Sequence, residues 1–528
     1  MKINQLTGLT GLFYGALQII ILILFIRCGA NSFRFLFLSL CVCAFFWILL
    51  GGYTRDYTYR NIRARLIRNQ SQQAQTFFRA MCLLSGLLSL AVSVLLVLFS
   101  DRISVLFFGT ASYRLLFVAA SPILVFLSLS DLFHGLFLGE GIGIPVLVVE
   151  PVSIAVFGLC ALLSENFFDQ AGASVGMLLQ NSDMEVAYEC LGILLSADLA
   201  TGIRLLFYVI FYFWVGKASM EDSLYPARLS AVPAFMVQIL RQIYSEMLLH
   251  VGAIMPFVLF PACSVLFQMT QDHTWLGYYT GMVFPLLLIL GFLTKVLCTG
   301  HLNEIAHLKK LDDFKKFKNA VGGLFQGHLI TILPIPAFLF AAATPLCGVL
   351  GIVSNEAVTI LRFGCVSMAL FSLLWITRKT LRLWKIGHGL GFGELVVLIL
   401  CTMLLIFVPL GSLDAMGKVM LLLILDQVLL LGMELFRIRM RVKLHMDLVE
   451  DWIKPVLCAF ISAFVIFILI SAFGAMFAPL VTFAFTAVVY FLVFVALLLA
   501  LRCLHASTAR YLPGSAFWQI LTRIFHLS

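Results

Sequence analysis

The chain has 528 residues, of which 62% are hydrophobic and only 12% charged, against roughly 25% charged in an average soluble domain. Its 35 Lys and Arg against 26 Asp and Glu leave a formal net charge of +9. A soluble fold has no interior large enough for that apolar surface, and disordered or secreted chains are far more polar, so the sequence excludes a cytosolic enzyme, a disordered protein and a secreted protein. It reads as an integral membrane protein with many spans.

A helix needs about 20 apolar residues to cross the hydrocarbon core. That length predicts an all-α polytopic protein with fourteen spans. The first, 7–28, carries Gly11 and Gly15 at the spacing that lets helices pack closely. The second, 33–53, runs into Thr54-Arg55-Asp56, where Arg55 is placed to meet a phosphate at the mouth of a cavity. Basic residues from Arg55 to Arg79 follow, then the third span, 80–99.

The fourth span, 115–138, holds Asp131 and His134 three residues apart and so on one face. They are a candidate cavity pair, and His titrates near neutrality, which suits a proton site. The fifth, 143–163, holds Glu150 before Pro151. Proline frees a carbonyl and bends a helix, so these two are hinge candidates. The stretch 164–189 is acidic, with Glu165, Asp169, Asp183, Glu185 and Glu189, and is expected to be a loop. The sixth span, 190–215, holds Asp198 and Arg204 six apart, too far round to face each other. Arg204 falls near mid-span, where a guanidinium requires a partner or a wet cavity. It would meet an anionic headgroup or pair with another helix.

A partly polar linker, 217–244, leads to the seventh span, 245–267, which opens on Glu246 and His250 four apart. The eighth is 274–297. The run Lys309, Lys310, Lys315, Lys316 and Lys318 after it reads as an interfacial anchor that attracts anionic headgroups. Spans at 322–345, 358–377, 393–411 and 415–436 complete a second set, with Asp426 near the middle of the last and Glu434 two turns on. Gly387 to Gly393 is glycine-rich but follows a membrane helix rather than a strand, so it does not read as a dinucleotide loop. Two further spans, 455–474 and 477–501, precede a tail. The 13 cysteines contain no CxxC and read as small apolar packing residues. No metal site, cofactor loop or catalytic triad is predicted.

Positive charge accumulates on the cytoplasmic side of membrane proteins. With the N-terminus inside and every span crossing once, 28 of the 35 Lys and Arg fall inside and five outside, with Arg204 and Arg362 within spans. The C-terminus is then also inside. The two large basic segments match at a constant offset, Ala64 to Arg68 against Ala306 to Lys310, and Phe108-Gly109 matches Leu350-Gly351 at the same offset. Six spans per repeat make the halves parallel, related by a pseudo-twofold axis along the membrane normal. The expected organisation is a six-helix lobe at 1–216, the linker 217–244, a second six-helix lobe at 245–436, two extra C-terminal helices within 437–501, and a cytoplasmic tail at 502–528.

Three stretches resemble the multidrug/oligosaccharidyl-lipid/polysaccharide (MOP) flippase superfamily, in its fourteen-helix branch of stage V sporulation protein B-like proteins, lipid II flippases and polysaccharide exporters. They are Gly51-Gly52 through Arg63-Ala64-Arg65 to Gln75-Thr76-Phe77-Phe78-Arg79; Ser121-Pro122 with His134 to Gly139 and Glu150-Pro151; and Asn303 to Ala306 with Phe317-Lys318. The resemblance implies two lobes around a central cavity, alternating access, and an apolar groove on the last two helices. It departs in one respect: the first two helices carry no charge between Arg27 and the inner end except Arg34, so a pyrophosphate-binding cluster is not evident.

The expected function is therefore a non-enzymatic flippase or exporter of a lipid-linked oligosaccharide or polysaccharide precursor in a bacterial cytoplasmic membrane. Its partners would be membrane lipids, the lipid-linked saccharide and cell-envelope glycosyltransferases. Transport would run on a proton or sodium gradient or the membrane potential, without a cofactor. A cation-coupled multidrug exporter, a non-transporting scaffold and a membrane glycan polymerase or ligase are the alternatives. The substrate-cavity candidates are Arg55, Asp131, His134, Asp198, Arg204, Glu246, His250 and Asp426.

Overall fold

The structure is a computed structural model. It describes residues 3–181, 183–216, 254–267, 273–310, 314–383, 390–408, 414–442, 448–474, 476–503 and 515–524, with isolated positions between them. Every regular element among these residues is helical. Among the described residues, eleven helices are long and apolar enough to cross a membrane, and Pro256–Leu266 and Gly391–Phe407 are shorter apolar helices. The first of the eleven, Leu9–Ile67, is 59 residues long, enough for two crossings. Counted as two, it brings the helical segments to the fourteen predicted.

That first stretch comprises α1 (Ile3–Leu50) and α2 (Thr54–Ile67). α1 changes direction at Gly29, whose φ of 81° and ψ of 174° lie outside the helical region and which only glycine enters at little cost. The basic stretch after the second span is itself helical, as α2. Next come α3 (Ser71–Leu98), α4 (Ser100–Phe108), α5 (Arg114–Glu140), α6 (Ile144–Leu179) and α7 (Asp183–Phe211), the last continued by a π-turn, Tyr212–Gly216.

α6 and α7 correct one expectation. The acidic stretch 164–189 is helical on both sides of a tight turn rather than a loop. Ala, Leu, Met, Gln and Glu recur through it, and the hairpin buries small residues against large ones: Gly192 lies under the Phe168 ring, and Gly172 under Tyr188 and Glu185. At 1.5 Å per residue, the 36 residues of α6 run about 54 Å, well beyond the ~30 Å hydrocarbon core. Polarity marks where a helix leaves hydrocarbon, not where it ends. Gln180 closes the helix in the left-handed region, and Asn181 Oδ1 accepts the Asp183 backbone N–H at 3.0 Å.

The chain packs as two compact units, Met1–Thr280 with His388–Ala415, and Gly281–Gly387 with Met416–Ser528. In the first unit α5 is central, packing against α1, α2, α3 and α7. Leu116, Phe117, Leu124, Leu132, Leu136 and Phe137 of α5 are all buried. Gly135 and Gly139 let α2 approach closely. A Cβ at Gly135 would meet the Arg55 carbonyl oxygen at 2.5 Å, and one at Gly139 would meet Ile62 Cβ at 2.9 Å. This small-xxx-small seam sets the distance between α2 and α5. The unit also includes α8 (Pro256–Leu266) and α9 (Thr274–Tyr278).

The second unit holds α10 (Phe284–Lys310), α11 (Phe314–Thr331), α12 (Pro334–Ala341), α13 (Ala343–Val349) and α14 (Asn355–Leu383). The ninth span, predicted unbroken at 322–345, is in three pieces because Pro334, Pro336 and Pro345 cannot donate backbone hydrogen bonds. α15 (Leu390–Phe407) belongs to the first unit, and α16 (Ala415–Val442) falls almost wholly in the second. α17 (Lys454–Phe473) and α18 (Pro479–Ala500) pack on each other, α17 also on α12, and α18 on α13. A short helix, α19 (Ser515–Ile524), follows.

If the Gly135 seam sets the α2–α5 distance, Gly135→Leu will lower the melting temperature of the detergent-solubilised protein, reflecting overpacking of about 1–3 kcal/mol. Gly432→Leu, where nothing lies within 4 Å of an added Cβ, will leave it nearly unchanged. Equal melting of the two variants would contradict the packing described.

Candidate functional site

Five ionisable side chains from four helices meet inside the first unit. Asp131 and His134 come from α5, Glu150 from α6, Arg204 from α7 and Arg55 from α2. Glu150, His134, Asp131 and Arg204 are buried, at 1%, 0%, 6% and 5% exposure. Such charges persist in an apolar interior only when paired and hydrogen-bonded.

Glu150 Oε1 is the focus. It accepts from Arg204 Nη2 at 2.8 Å, from Arg204 Nε at 3.2 Å and from the Tyr208 hydroxyl at 2.7 Å. His134 Nδ1 lies 2.7 Å from the same oxygen. A carboxylate can only accept, so Nδ1 carries the hydrogen of that bond. Nε2 is buried and has no partner among the described residues. Arg204 Nη2 also donates to Asp131 Oδ1 and to the Tyr14 hydroxyl, each at 3.2 Å. Arg55 Nη1 donates to that hydroxyl at 3.2 Å, and its guanidinium lies 5.7 Å from the Tyr14 ring centroid. Two guanidiniums thus face two carboxylates, and Tyr14 from α1 joins them.

Helix geometry assembles the group. Glu150 lies six residues into α6, Arg204 lies seven before the end of α7, and Asp131 and His134 lie in the second half of α5. All therefore sit toward one end of this bundle. Arg204 and Tyr208 are four apart on one face of α7, so both reach Glu150. Phe137 stacks on the Tyr208 ring at 5.9 Å and walls off one side. α6 runs unbroken through Pro151, so Glu150 enters this network from a continuous helix.

Of the sequence candidates, Arg55, Asp131, His134, Glu150 and Arg204 come together here. Asp198 is half-buried on α7 and takes no part in these bonds. Glu246 and His250 lie outside the described residues. Asp426 belongs to the second unit, where it is 1% exposed and its Oδ1 has no partner among the described residues. Also in that unit, Glu434 accepts from Arg378 Nε at 2.8 Å and from the Thr377 hydroxyl at 2.7 Å. His328 Nε2 lies 3.2 Å from the Ser372 hydroxyl. Among the described residues, no group of three or more His, Cys, Asp or Glu is arranged to hold a metal ion. Sequence reasoning missed Tyr14 and Tyr208. Tyr208 had a signal in its four-residue spacing from Arg204; Tyr14 had none.

The architecture is that of known transporters. It matches the lipid II flippase MurJ in an inward closed conformation with a TM-score of 0.65 and 16% identity, over 93% of this chain and 97% of that one. A eukaryotic MATE transporter matches at 0.51 and 13% identity, over 88% of this chain and 98% of that one. An inward-facing MATE multidrug resistance transporter of the MOP superfamily matches at 0.50 and 15% identity, over 84% and 95%. The chain shares the fold of these transporters. No family model matches the sequence, and no curated protein does. At such identities the likeness is one of fold.

The network predicts an order of stabilities. Arg204→Met strands two buried carboxylates and will destabilise most, in the range of about 3–5 kcal/mol for breaking a buried pair. Tyr208→Phe removes the hydroxyl that bonds Glu150 and lies 3.1 Å from His134 Nδ1, and will cost about 1–2 kcal/mol. Melting in detergent should rank them so; a Tyr208→Phe loss equal to that of Arg204→Met would contradict the network.

Proposed function

We propose that the protein is an alternating-access transporter that moves a lipid-linked oligosaccharide or polysaccharide precursor across a bacterial cytoplasmic membrane. The observation that carries this is the extent of the likeness. The match to the lipid II flippase takes in 93% of the chain, against 84% and 88% for the two MATE transporters. The chain has two apolar helices, α17 and α18, beyond the twelve that form the two predicted repeats. In their most apolar windows only 28% and 22% of α17 and α18 are buried inside the structure. Helices this apolar and this exposed suit lipid contact. The charge distribution supports an N-terminus and C-terminus in the cytoplasm.

The electrostatics favour a substrate held by more than a cationic pocket. Arg204 is already neutralised by Glu150 and Asp131. Arg55, at the start of α2 and only partly buried, is the group that this reading assigns to an anionic headgroup. A saccharide would take the remaining polar contacts, and cell-envelope glycosyltransferases would supply the lipid-linked precursor.

A second reading, cation-coupled drug export, has its own support in the buried carboxylates Asp131 and Glu150 beside His134. In either reading a proton or sodium gradient or the membrane potential would drive transport, because no nucleotide-binding segment is evident in the sequence.

Reconstitution separates these readings. Purified protein in liposomes carrying a fluorescent undecaprenyl-pyrophosphate saccharide should accelerate its movement between leaflets. Arg55→Ala should slow that movement about tenfold or more, the scale of one lost charged contact. Gradient-dependent export of a cationic dye, with no lipid movement, would overturn the flippase reading in favour of the second.

A further inference from the structure

We propose that Cys458 and Cys503 form a reversible disulfide that closes the open end of the α17–α18 hairpin. This rests on the geometry of the second unit and is independent of the transport reading. α17 and α18 are joined at one end by the short connection 474–478. At the other end no covalent link holds them. There the Cys458 and Cys503 sulfurs lie 3.9 Å apart, with the residues 0% and 1% exposed. All thirteen cysteines are free thiols.

Local structure brings this pair together from both sides. α18 ends in a Schellman-type cap: the Arg502 N–H donates to the Leu499 carbonyl at 3.2 Å, and the Cys503 N–H to the Leu498 carbonyl at 3.0 Å. The cap requires a left-handed residue, and Arg502 takes that place at φ 52° where glycine is usual. It turns Cys503 back onto the hairpin instead of letting the helix run on. Gln326 Nε2 then donates to the Cys503 carbonyl at 3.2 Å and pins that turn to α11. Cys458 lies one turn into α17, and the Ser462 hydroxyl bonds its carbonyl at 2.7 Å. Ala459, Leu498, Leu512 and Trp518 enclose the pair in one apolar cluster.

A disulfide requires the sulfurs to close from 3.9 Å to about 2.05 Å, a movement of about 2 Å. Hydrogen peroxide is the oxidant. One cysteine attacks the peroxide O–O bond, giving a sulfenic acid and one water. The second thiol displaces the hydroxyl as a second water, and the S–S bond forms. Two thiols are oxidised by two electrons, one peroxide is reduced to two waters, and a small thiol reverses the step by exchange. Lys454 and Arg502 flank the pair in sequence, the first partly exposed and the second exposed, so this end of the hairpin meets water although the two sulfurs themselves are buried. Once formed, the bond holds α17 and α18 together at both ends.

The test is thiol counting on the full-length protein in detergent, before and after hydrogen peroxide. Labelling of the denatured chain with a polyethylene-glycol maleimide should fall by two, and dithiothreitol should restore it. Peptide mapping should find one cross-link, between the peptides holding Cys458 and Cys503. The oxidised protein should melt at a higher temperature, and Cys458→Ser and Cys503→Ser should each abolish both the cross-link and that shift. Should either variant fail to fold, mapping of the unsubstituted protein decides alone. Retention of all 13 labels at a peroxide dose that oxidises glutathione, a cross-link between other cysteines, or oxidation of these two without a cross-link would overturn the proposal.

Discussion

A guanidinium cannot stand alone in an apolar interior, and Arg204 obliges the first unit to be built around it. Its charge is met by Glu150 from α6 and Asp131 from α5, and Tyr14 brings in α1. Three helices must therefore hold fixed rotations for one side chain to be satisfied. Glu150 in turn gathers Tyr208 and His134 on the same oxygen. Leaving any of these groups unpaired costs far more than a surface contact would, so the cluster fixes helix register more firmly than apolar packing, which tolerates sliding.

The glycine seam and the charge cluster depend on each other. Gly135 and Gly139 remove side chains where α5 crosses α2, and the α2 backbone moves into that space. Arg55 sits at this crossing, so the seam also sets how near its guanidinium comes to Tyr14 and the carboxylates. Within this network two cations face two anions, so its charges are nearly balanced inside the unit.

Much of the architecture was legible in the sequence because the bilayer imposes a length scale and a charge asymmetry. Long apolar stretches predicted the spans, and the alternation of basic and non-basic connections supported their number. Three features were not legible. The 164–189 hairpin was hidden because helices continue past the hydrocarbon boundary on polar residues. The break in the ninth span was marked by Pro334 and Pro336 but masked by the apolar residues around them. Glu150 was singled out for its neighbour Pro151, whereas its ion pair joins residues 54 positions apart on different helices. Spacing along one helix reveals which residues share a face, as for Asp131 and His134. It cannot reveal which face of a second helix comes opposite, so the partner of Arg204 had to come from the fold.

The most direct test of this account is a double-mutant cycle on Glu150 and Arg204, using Glu150→Gln, Arg204→Gln and the pair. Melting and leaflet translocation would be read on all four proteins. If the two residues act as one buried pair, the double variant will lose much less stability than the two single losses added together, and neither single variant will translocate better than the double. Strictly additive losses, with translocation intact in all four, would show that the charge cluster neither organises the unit nor takes part in transport.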